Sequence, residues 1–480
     1  MLMISLKRYQ MSRKSEWIMF FIFVAVNIIL FVFSVDTDAP LSVGADAGQY
    51  LRPARSLVDY GMFAMNPPEW TPEMGEARPF TFGVPLYSIL LAVPYYFFGQ
   101  ADLFYIMVII IQCCLLYLTG WISRSLLPFF NSNRTILIHA LIVFNPNSLI
   151  TAHLIQSETL FTFLLVVVLL YIFKYIKNNS TSNLMAIGLS VGLLALTRPA
   201  GLYLVYMIPI ILLVIQVFNI LKSRNKIKFA YRPYFSIFIP LLVAFLVISP
   251  WYVRNYVNTG EYFFTTTSGY FLFDNHIQLL QKGSGYTNND AVNKARSQLL
   301  TSLQDTGKDT SCVNRLRDFK CHKLTFNLLL SHVVNQPLEA HTKALLYSWA
   351  TLYFTGGASN IRNYLGFSGN SLIVAYQNEK FDGINSILKL FNNAETSYIV
   401  LLFITMLFVF VVRTMAFIGI YRIIKDKEGI LYLIVLFSVL LLFTAMYLYL
   451  GQSRFRVPLE PILMLLAVLG LSIDKNKNKH

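Results

Sequence analysis

The sequence predicts an all-α polytopic membrane protein, a helical bundle of about ten transmembrane helices with surface helices in large extracytoplasmic loops. Hydrophobic residues make up 56% of the 480 residues and charged residues only 13%, whereas soluble domains carry about 25% charged residues. The apolar runs are about twenty residues long, which is the length of a helix that crosses a bilayer. Ten-residue segments of alternating polarity, typical of a membrane β-barrel, are not seen, so a helical bundle is favoured.

Basic residues orient these helices. Cytoplasmic connections are enriched in Lys and Arg, and such residues precede the first apolar run, fill the connection 222–232 without any acid, and follow the last run. We therefore place both termini and this connection in the cytoplasm. The formal charge of +15 is spread over short connections, which indicates a lipid bilayer with anionic headgroups as the partner and not nucleic acid. The first span, 17–35, lacks a small-residue cleavage site, so we expect an anchor and not a removed signal peptide.

The apolar run 83–99 is not counted as a crossing. It has 17 residues and contains Pro85 and Pro94. If it were counted, Arg124 would lie outside and Glu158 inside. If the run instead lies on the outer surface or re-enters the membrane, the basic connections all fall on the cytoplasmic side. The predicted crossings are 17–35, 103–123, 135–153, 159–176, 184–200, 201–221, 234–252, 397–421, 430–450 and 457–473.

Three segments follow from this count. Residues 1–252 form an N-terminal transmembrane catalytic module that includes a first outer loop, 36–102; residues 253–396 form a large extracytoplasmic loop; residues 397–480 form the C-terminal transmembrane helices. The large loop has nearly balanced charge and no evident core of its own, which is typical of a lid that closes over an active site. We expect it to set acceptor specificity; the alternative is a passive cap that shields the bundle.

The cysteines and histidines give weaker signals. Cys312 and Cys321 lie nine positions apart in the large loop, which leaves open a disulfide, if that side is oxidising, or two free thiols. Cys113 and Cys114 lie in an apolar span, where we expect core packing. His139 and His153 flank another apolar span, and we expect satisfied core residues there as well. No zinc-binding pattern is present, and we expect no metal and no cofactor.

The first outer loop carries the candidate catalytic acid. Asp46 lies about eleven residues beyond the first span in a glycine-flanked stretch, a setting in which the backbone can approach a ligand. A carboxylate at this position can act as general base on an acceptor hydroxyl, and the neighbouring Gln49 and Tyr50 can hydrogen-bond hydroxyl groups. The alternative is that Asp46 is the N-cap of a helix within 49–60.

Several further charged residues reach the same predicted face. Arg78 is a candidate phosphate ligand because a guanidinium binds phosphate in bidentate fashion, the alternative being a snorkelling interfacial cation. Glu158 begins a span, where an ionisable group is a functional candidate; the alternative is N-capping together with Ser157. Four more arginines suit the anionic leaving group of a polyprenyl-phosphate donor, or else contact lipid headgroups separately. They are Arg198, Arg254, Arg454 and Arg456.

The order of these short motifs along 46–460 carries a resemblance. They are Asp46 to Tyr50, Arg78-Pro79, Asn145-Pro146 followed by Ser157-Glu158, Thr197-Arg198-Pro199, Ser249-Pro250-Trp251 followed by Arg254-Asn255, and Arg454-Phe455-Arg456-Val457-Pro458. The order and the predicted sidedness of these motifs resemble those of the GT-C-type membrane glycosyltransferases. Among these, the similar members are the protein O-mannosyltransferases and the lipid A aminoarabinose transferases. Many relatives carry an acidic pair where this chain has Asp46-Ala47, which does not favour protein mannosyl transfer.

The resemblance implies a membrane glycosyltransferase, a hexosyl or pentosyl transferase, with its active site on the extracytoplasmic face of the plasma (inner) membrane. It would move a sugar, with inversion, from a polyprenyl-phosphate-linked donor to an acceptor glycan, lipid or protein. The roles it implies are as follows. Asp46 and Glu158 are catalytic, Arg78, Arg254, Arg454 and Arg456 bind the donor phosphate, and Gln49, Tyr50, Arg198 and Asn255 bind substrate.

Absent motifs narrow the alternatives. The chain has no Gly-x-x-x-x-Gly-Lys-Ser/Thr phosphate loop, no His-Glu-x-x-His and no Gly-x-Ser-x-Gly, which disfavours ATP-driven transport, metalloproteases and hydrolases. The longest predicted cytoplasmic connection, 222–232, is too short for a nucleotide-binding domain, so a lipid-linked donor is favoured over a nucleotide sugar. A multi-span transporter or flippase of lipid-linked sugars stays open, as does a glycan ligase or polymerase. Transport would be favoured by charges near the middle of spans.

Overall fold

The computed structural model describes residues 13–35, 46–67, 69–222, 234–366, 396–427 and 429–471. Within these ranges the regular elements are helical, with one isolated β-bridge between Ala64 and Pro79. The all-α class predicted from the apolar runs is therefore confirmed. Parts of the predicted pattern lie outside the described residues: Gly44, the basic residues of 223–233, and the basic C-terminal lysines.

The helices of the first half are α1 (Arg13–Val35), α2 (Ala47–Tyr60), α3 (Leu86–Phe98), α4 (Asp102–Ser123), α5 (Thr135–Val143), α6 (Pro146–Ala152), α7 (Glu158–Asn178), α8 (Thr181–Thr197), α9 (Gly201–Lys222) and α10 (Phe238–Thr259). Those of the second half are α11 (Thr267–Gln278), α12 (Asn288–Asp305), α13 (Phe319–Val334), α14 (Leu338–Phe354), α15 (Ala358–Leu365), α16 (Thr396–Asp426), α17 (Ile430–Tyr447) and α18 (Glu460–Gly470). Short 3₁₀ segments extend α4 through Arg124–Phe130 and precede α18 at Ser453–Leu459, and a π-turn, Leu279–Gly283, follows α11.

Seven helices of the described chain are long and apolar enough to cross a membrane, and the bent pair α5 and α6 makes up to eight. The predicted count of ten is therefore not confirmed. Three predicted crossings are not among these seven long helices. The segment 184–200 corresponds to α8, which has 17 residues, and 457–473 contains α18, which has 11. The segment 135–153 is bent by 56° between α5 and α6.

Proline and polar residues explain the bend between α5 and α6. Asn145 ends the first helix, and its side chain accepts hydrogen bonds from the backbone N–H groups of Asn147 and Ser148. Pro146 then occupies the first helical position of α6, where its missing N–H costs nothing. An apolar run shows that a segment is hydrophobic but not that a side chain caps a helix within it, so a continuous span was predicted here.

The packing of α1 and α4 fixes the relative sides of several segments. Arg124, at the end of α4, donates a 2.8 Å hydrogen bond to Glu16 at the start of α1. The start of α4 therefore lies at the opposite end of the bundle, where α1 ends. Because α3 is only 13 residues long, or about 20 Å, it is too short to span the roughly 30 Å hydrocarbon core. Both observations support the prediction that 83–99 does not cross.

The bundle core is centred on α7, which buries Phe161, Leu165 and Phe173 completely. Two glycines allow neighbouring helices to approach closely. A Cβ on Gly188 of α8 would lie 2.6 Å from the backbone oxygen of Pro240 in α10, and one on Gly419 of α16 would lie 2.0 Å from that of Leu466 in α18. Close contacts through small residues are typical of membrane helices, and here they bring α8 against α10 and α16 against α18.

The two histidines of the α5–α6 region are buried, as predicted for core residues. The ring nitrogens of His153 lie 2.7 Å from the Tyr364 hydroxyl and 2.8 Å from the Asn27 side-chain oxygen. Both ring nitrogens of His139 lack a hydrogen-bond partner among the described residues. Only His153 is therefore a satisfied core residue.

The segment after α10 forms a folded unit, which we call the outer unit and define as residues 260–366. Contrary to the expectation from sequence, it has a hydrophobic core of its own. The buried members are Phe273, Ile277, Leu280, Ala291, Ala295, Leu299, Leu303, Cys312, Leu316, Cys321 and Leu329. The core residues are spaced along one side of α11, α12 and α13. This spacing was not evident in the sequence because glycines and charged residues of both signs lie between them.

The disulfide left open by the sequence is formed. Cys312 and Cys321 are joined, and both are buried in the outer unit. Asp309 lies close to the two sulfurs in a group that resembles a metal site, but both sulfurs are bonded to each other. Cys113 is buried as expected, whereas Cys114 is exposed on the outside of its helix, so the core prediction is wrong for Cys114.

Candidate active site

Asp46 stands immediately before α2, at its N-cap position, but its side chain makes no capping hydrogen bond. Instead, its Oδ2 accepts a 2.5 Å hydrogen bond from Nη2 of Arg454, and the side chain is 32% exposed. The capping alternative therefore does not account for this carboxylate. Gln49, one turn further along α2, is partly exposed, and its backbone N–H donates to the backbone oxygen of Asp46.

Glu158 is the fully buried centre of the charge cluster. Its Oε1 accepts from Nε of Arg454 at 2.5 Å and lies 2.7 Å from Nη1 of Arg198. The two arginine side chains are 16% and 14% exposed, respectively. The cluster thus alternates in charge from Asp46 through Arg454 and Glu158 to Arg198, and its formal charges cancel. We call these four residues, which include the two candidate catalytic acids, the catalytic cluster.

Four separate segments position the cluster. Glu158 is the first residue of α7, and Arg198 follows the last residue of α8. Arg454 lies in the 3₁₀ segment before α18, where the next residue, Phe455, stacks on Tyr447 with ring centroids 4.7 Å apart. Because these segments are distant in sequence, only the folded bundle brings the charges together.

Tyr50 connects α2 to the start of α7. Its hydroxyl lies 2.9 Å from Oγ of Ser157, and its ring packs edge-to-face on Tyr87 at 4.9 Å. Tyr87 in turn donates to the side-chain oxygen of Gln112 in α4, 2.9 Å away. Tyr50 therefore holds the helix that carries Asp46 against the residue next to Glu158, and its hydroxyl is engaged by protein.

Arg254 and Asn255 lie in the last turns of α10, beyond the predicted boundary at 252, and they bind backbone. Arg254 donates to the carbonyls of Phe80 and Phe63 in the first outer loop, at 2.6 and 2.5 Å, and its guanidinium lies over the ring of Trp251. Asn255 donates to carbonyls of the turn that follows α10. These two residues join the outer loops to the bundle and do not contact the catalytic cluster.

Arg456 belongs to a second buried network. Its Nε donates to Oε1 of Glu460 at 2.5 Å, its Nη1 donates to the carbonyl of Leu352, and Arg413 approaches the same carboxylate at 3.1 Å. We call Arg413, Arg456 and Glu460 the second triad. Arg78, by contrast, is exposed, and its side chain forms no ion pair within the described chain. Among the predicted phosphate ligands, only Arg454 contacts Asp46.

Two residues that the sequence did not single out lie near this site. Asp274 of α11 has its pKa raised to about 7, chiefly because it is buried; the guanidinium of Arg317 opposes the rise, and the carboxylate of Asp46 adds to it. Arg317 lies over the rings of Phe82 and Tyr270, 4.6 and 4.4 Å from their centroids. No local motif marks either residue, because the folding of the outer unit onto the first outer loop brings them here.

No protein family matches the chain, and no curated protein matches its sequence. Its fold is similar to the archaeal oligosaccharyltransferase AglB from Archaeoglobus fulgidus in complex with an inhibitory peptide and a dolichol-phosphate, at 15% identity over 95% of this chain and a TM-score of 0.49. The chain spans 50% of the length of that protein. It is also similar to ArnT from Cupriavidus metallidurans bound to undecaprenyl phosphate, at 12% identity over 94% of this chain and 78% of that chain, with a TM-score of 0.39. Both neighbours are GT-C glycosyltransferases, the type of protein that the ordered motifs resemble.

Proposed function

We propose that this chain is a membrane glycosyltransferase that moves a sugar from a polyprenyl-phosphate-linked donor to an acceptor on the extracytoplasmic side of the plasma membrane. The observation that carries the proposal is the partly exposed carboxylate of Asp46, which is tied to Arg454, a largely buried arginine of the catalytic cluster. An accessible carboxylate beside a fixed guanidinium supplies the two groups that such a transfer needs: a general base and a cation for a phosphate.

The proposed reaction is a single displacement. The acceptor oxygen attacks C1 of the sugar, the bond between C1 and the phosphate oxygen breaks, and the acceptor proton passes to Asp46. The polyprenyl phosphate leaves as an anion, and the guanidinium of Arg454 stabilises the charge that develops on it. One displacement at C1 inverts the configuration there. The acceptor can be a glycan, a lipid or a protein, and ligation or polymerisation of glycans uses the same chemistry.

The geometry of Arg454 explains how the base becomes available. Its Nε is held by the buried Glu158, whereas its Nη2 binds the exposed Asp46. An arriving phosphate competes for the outer edge of the guanidinium, and the inner edge stays anchored. The guanidinium thereby shifts its outer hydrogen bond from Asp46 to the phosphate, which leaves the carboxylate free to accept the acceptor proton.

A transfer assay with purified protein tests this proposal. The protein is placed in lipid nanodiscs with undecaprenyl-phosphate-linked labelled sugar, and transfer to candidate acceptors is measured. Asp46→Asn should reduce transfer to near background while thermal unfolding stays similar to wild type. Asp59→Asn is the matched control, because Asp59 lies on the same outer helix but pairs with Arg55 at 3.1 Å and does not contact the catalytic cluster. Full activity of Asp46→Asn sinks the assignment.

Transport of lipid-linked sugars is the second candidate function, and one observation favours it. Arg413, near the middle of α16, lies within the bundle, which is where a transporter is expected to carry charge. Its guanidinium is paired with Glu460, however, and both side chains are buried. Translocation of a fluorescent lipid-linked sugar across proteoliposomes, compared between wild type and Arg413→Met, separates the two functions: transport without transfer supports the transporter.

A further inference from the structure

Arg317 is a cation of the outer unit to which the proposed reaction gives no role so far. It lies in the segment between Cys312 and Cys321, whose sulfurs form a disulfide. Both cysteines are buried in the hydrophobic core of the outer unit. The loop that carries Arg317 is therefore anchored at both ends by one covalent link.

Two aromatic rings fix the direction of this side chain. The guanidinium lies 4.6 Å from the ring centroid of Phe82 and 4.4 Å from that of Tyr270. Phe82 belongs to the first outer loop, and its carbonyl accepts a 2.5 Å hydrogen bond from the Thr265 hydroxyl of the outer unit. The Thr266 hydroxyl donates to the backbone oxygen of Arg317 at 3.2 Å. Arg317 is thus held where the outer unit meets the first outer loop.

The charge of Arg317 is available to a ligand. The residue is exposed and forms no ion pair with any described residue. The acid that it affects is Asp274, which lies one helical turn beyond Tyr270 and so on the same face of α11. Arg317 and Asp46 act in opposite directions on Asp274, so both lie within electrostatic range of it. Asn275, the residue after Asp274, accepts a 3.1 Å hydrogen bond from the backbone N–H of Tyr449, five residues before Arg454, so α11 joins the surface that carries Arg317 to the segment that carries Arg454.

On the basis of the proposed glycosyl transfer, we propose that Arg317 binds the donor phosphate together with Arg454, and that the Cys312–Cys321 disulfide holds it in place. A guanidinium binds phosphate with two parallel hydrogen bonds, and a side chain that is already stacked loses little conformational entropy when it does so. One face of the outer unit would therefore bind the donor, in addition to the role in acceptor specificity that the sequence predicts for this loop.

Binding of undecaprenyl phosphate without a sugar, measured by native mass spectrometry in phosphatidylcholine nanodiscs, tests the arginine. Arg317→Gln should weaken binding roughly 10- to 100-fold, the range for one charge-assisted hydrogen-bonding group. Arg317→Lys should fall in between, because it keeps the charge but not the planar fork. Arg315→Gln is the matched control: Arg315 lies in the same loop but pairs with Asp318 at 2.7 Å. Equal binding by Arg317→Gln and Arg315→Gln overturns the proposal.

A double-mutant cycle tests the disulfide. Replacement of Cys312 and Cys321 by Ser should weaken binding in the wild-type background and have little further effect in the Arg317→Gln background, because the link acts through that arginine. If the replacement has the same effect in both backgrounds, the disulfide acts only on the fold, and that part of the proposal is wrong. A second pair of variants, with Ala at both positions, covers the case in which the serines unfold this buried site.

The two proposals fail separately, because the binding assay needs no sugar and no turnover. If wild type does not transfer sugar but Arg317→Gln weakens lipid-phosphate binding, glycosyl transfer is rejected and the anion site stands. If wild type transfers sugar and Arg317→Gln binds the lipid phosphate as well as Arg315→Gln does, the reaction stands and Arg317 has no part in donor binding.

Discussion

Glu158→Gln is the substitution that most directly tests the catalytic cluster. It keeps the size of the side chain but removes the charge that Arg198 and Arg454 share through one oxygen, at 2.7 and 2.5 Å. The carboxylate is fully buried, and both arginines are more than four-fifths buried. Removing one partner from a buried ion pair costs about 3–5 kcal/mol, because the remaining charge stays buried without compensation. We therefore expect a loss of stability of this size.

The substitution should also slow the reaction of the protein that remains folded. With Glu158 neutral, Asp46 is the remaining carboxylate on Arg454, and the guanidinium binds it more tightly. If that pair becomes more stable by about 1.4 kcal/mol, opening it becomes tenfold less favourable. Turnover per folded molecule should then fall by at least about tenfold. Thermal unfolding monitored by tryptophan fluorescence gives the stability, and transfer of labelled sugar below both unfolding midpoints gives the turnover.

Glu460→Gln in the second triad is the control. Glu460 also bridges two arginines, with Arg413 at 3.1 Å and Arg456 at 2.5 Å, and it is buried. The same loss of stability is expected, about 3–5 kcal/mol, but turnover per folded molecule should stay near wild type because none of the three contacts Asp46. Equal loss of turnover in the two variants would place the effect in the bundle and not in the catalytic cluster. Unchanged stability and turnover in Glu158→Gln would refute the argument for the cluster altogether.

Burial raises the pKa of Asp274 from 3.8 to about 7, so the folded state favours the protonated carboxyl. The protonated carboxyl therefore stabilises the folded state by about 4 kcal/mol. This contribution is full below pH 3.8 and is lost as the pH rises through 7. Asp274→Asn should therefore gain stability over wild type as the pH rises from 5 to 7, with no further gain above 8, and a difference that does not vary with pH would contradict this. Cysteines placed at Gln100 and Arg124 should be labelled from the outside and the inside, respectively, because 83–99 does not cross; the opposite pattern would refute this topology.

The sequence predicted the parts of the site that rest on ordered motifs. Asp46, Glu158, Arg198 and Arg454 were all named as candidates, and the structure brings them together. That they meet at one end of the bundle was predictable, because residues at span ends on the same side share one surface. No sequence pattern shows that Arg454 joins Asp46 to Glu158, because its contact with Asp46 spans 408 positions of the chain.

The roles of the other arginines could not be predicted, for a physical reason. Arg254 and Arg456 stand in motifs of the same type as Arg454, but their donors are directed at main-chain carbonyls of distant segments, those of Phe80 and Leu352. A guanidinium has five N–H donors, and sequence does not show whether a carbonyl or a ligand receives them. Asp274 was missed for a related reason: its environment comes from the fold of the outer unit and not from its neighbours in sequence.

The two charge clusters differ in a way that favours one of them as the place of the proposed reaction. In each, one buried glutamate bridges two arginines, so the glutamate and its two partners do not distinguish them. Arg456 directs its remaining donors at backbone carbonyls, which an incoming anion cannot displace without breaking the fold. Arg454 directs its remaining donor at Asp46, a partly exposed side chain that can turn away. An arginine whose partner is exchangeable can bind a substrate anion and release a base in the same step, and for this reason the proposed reaction is placed at Arg454 and not at the second triad.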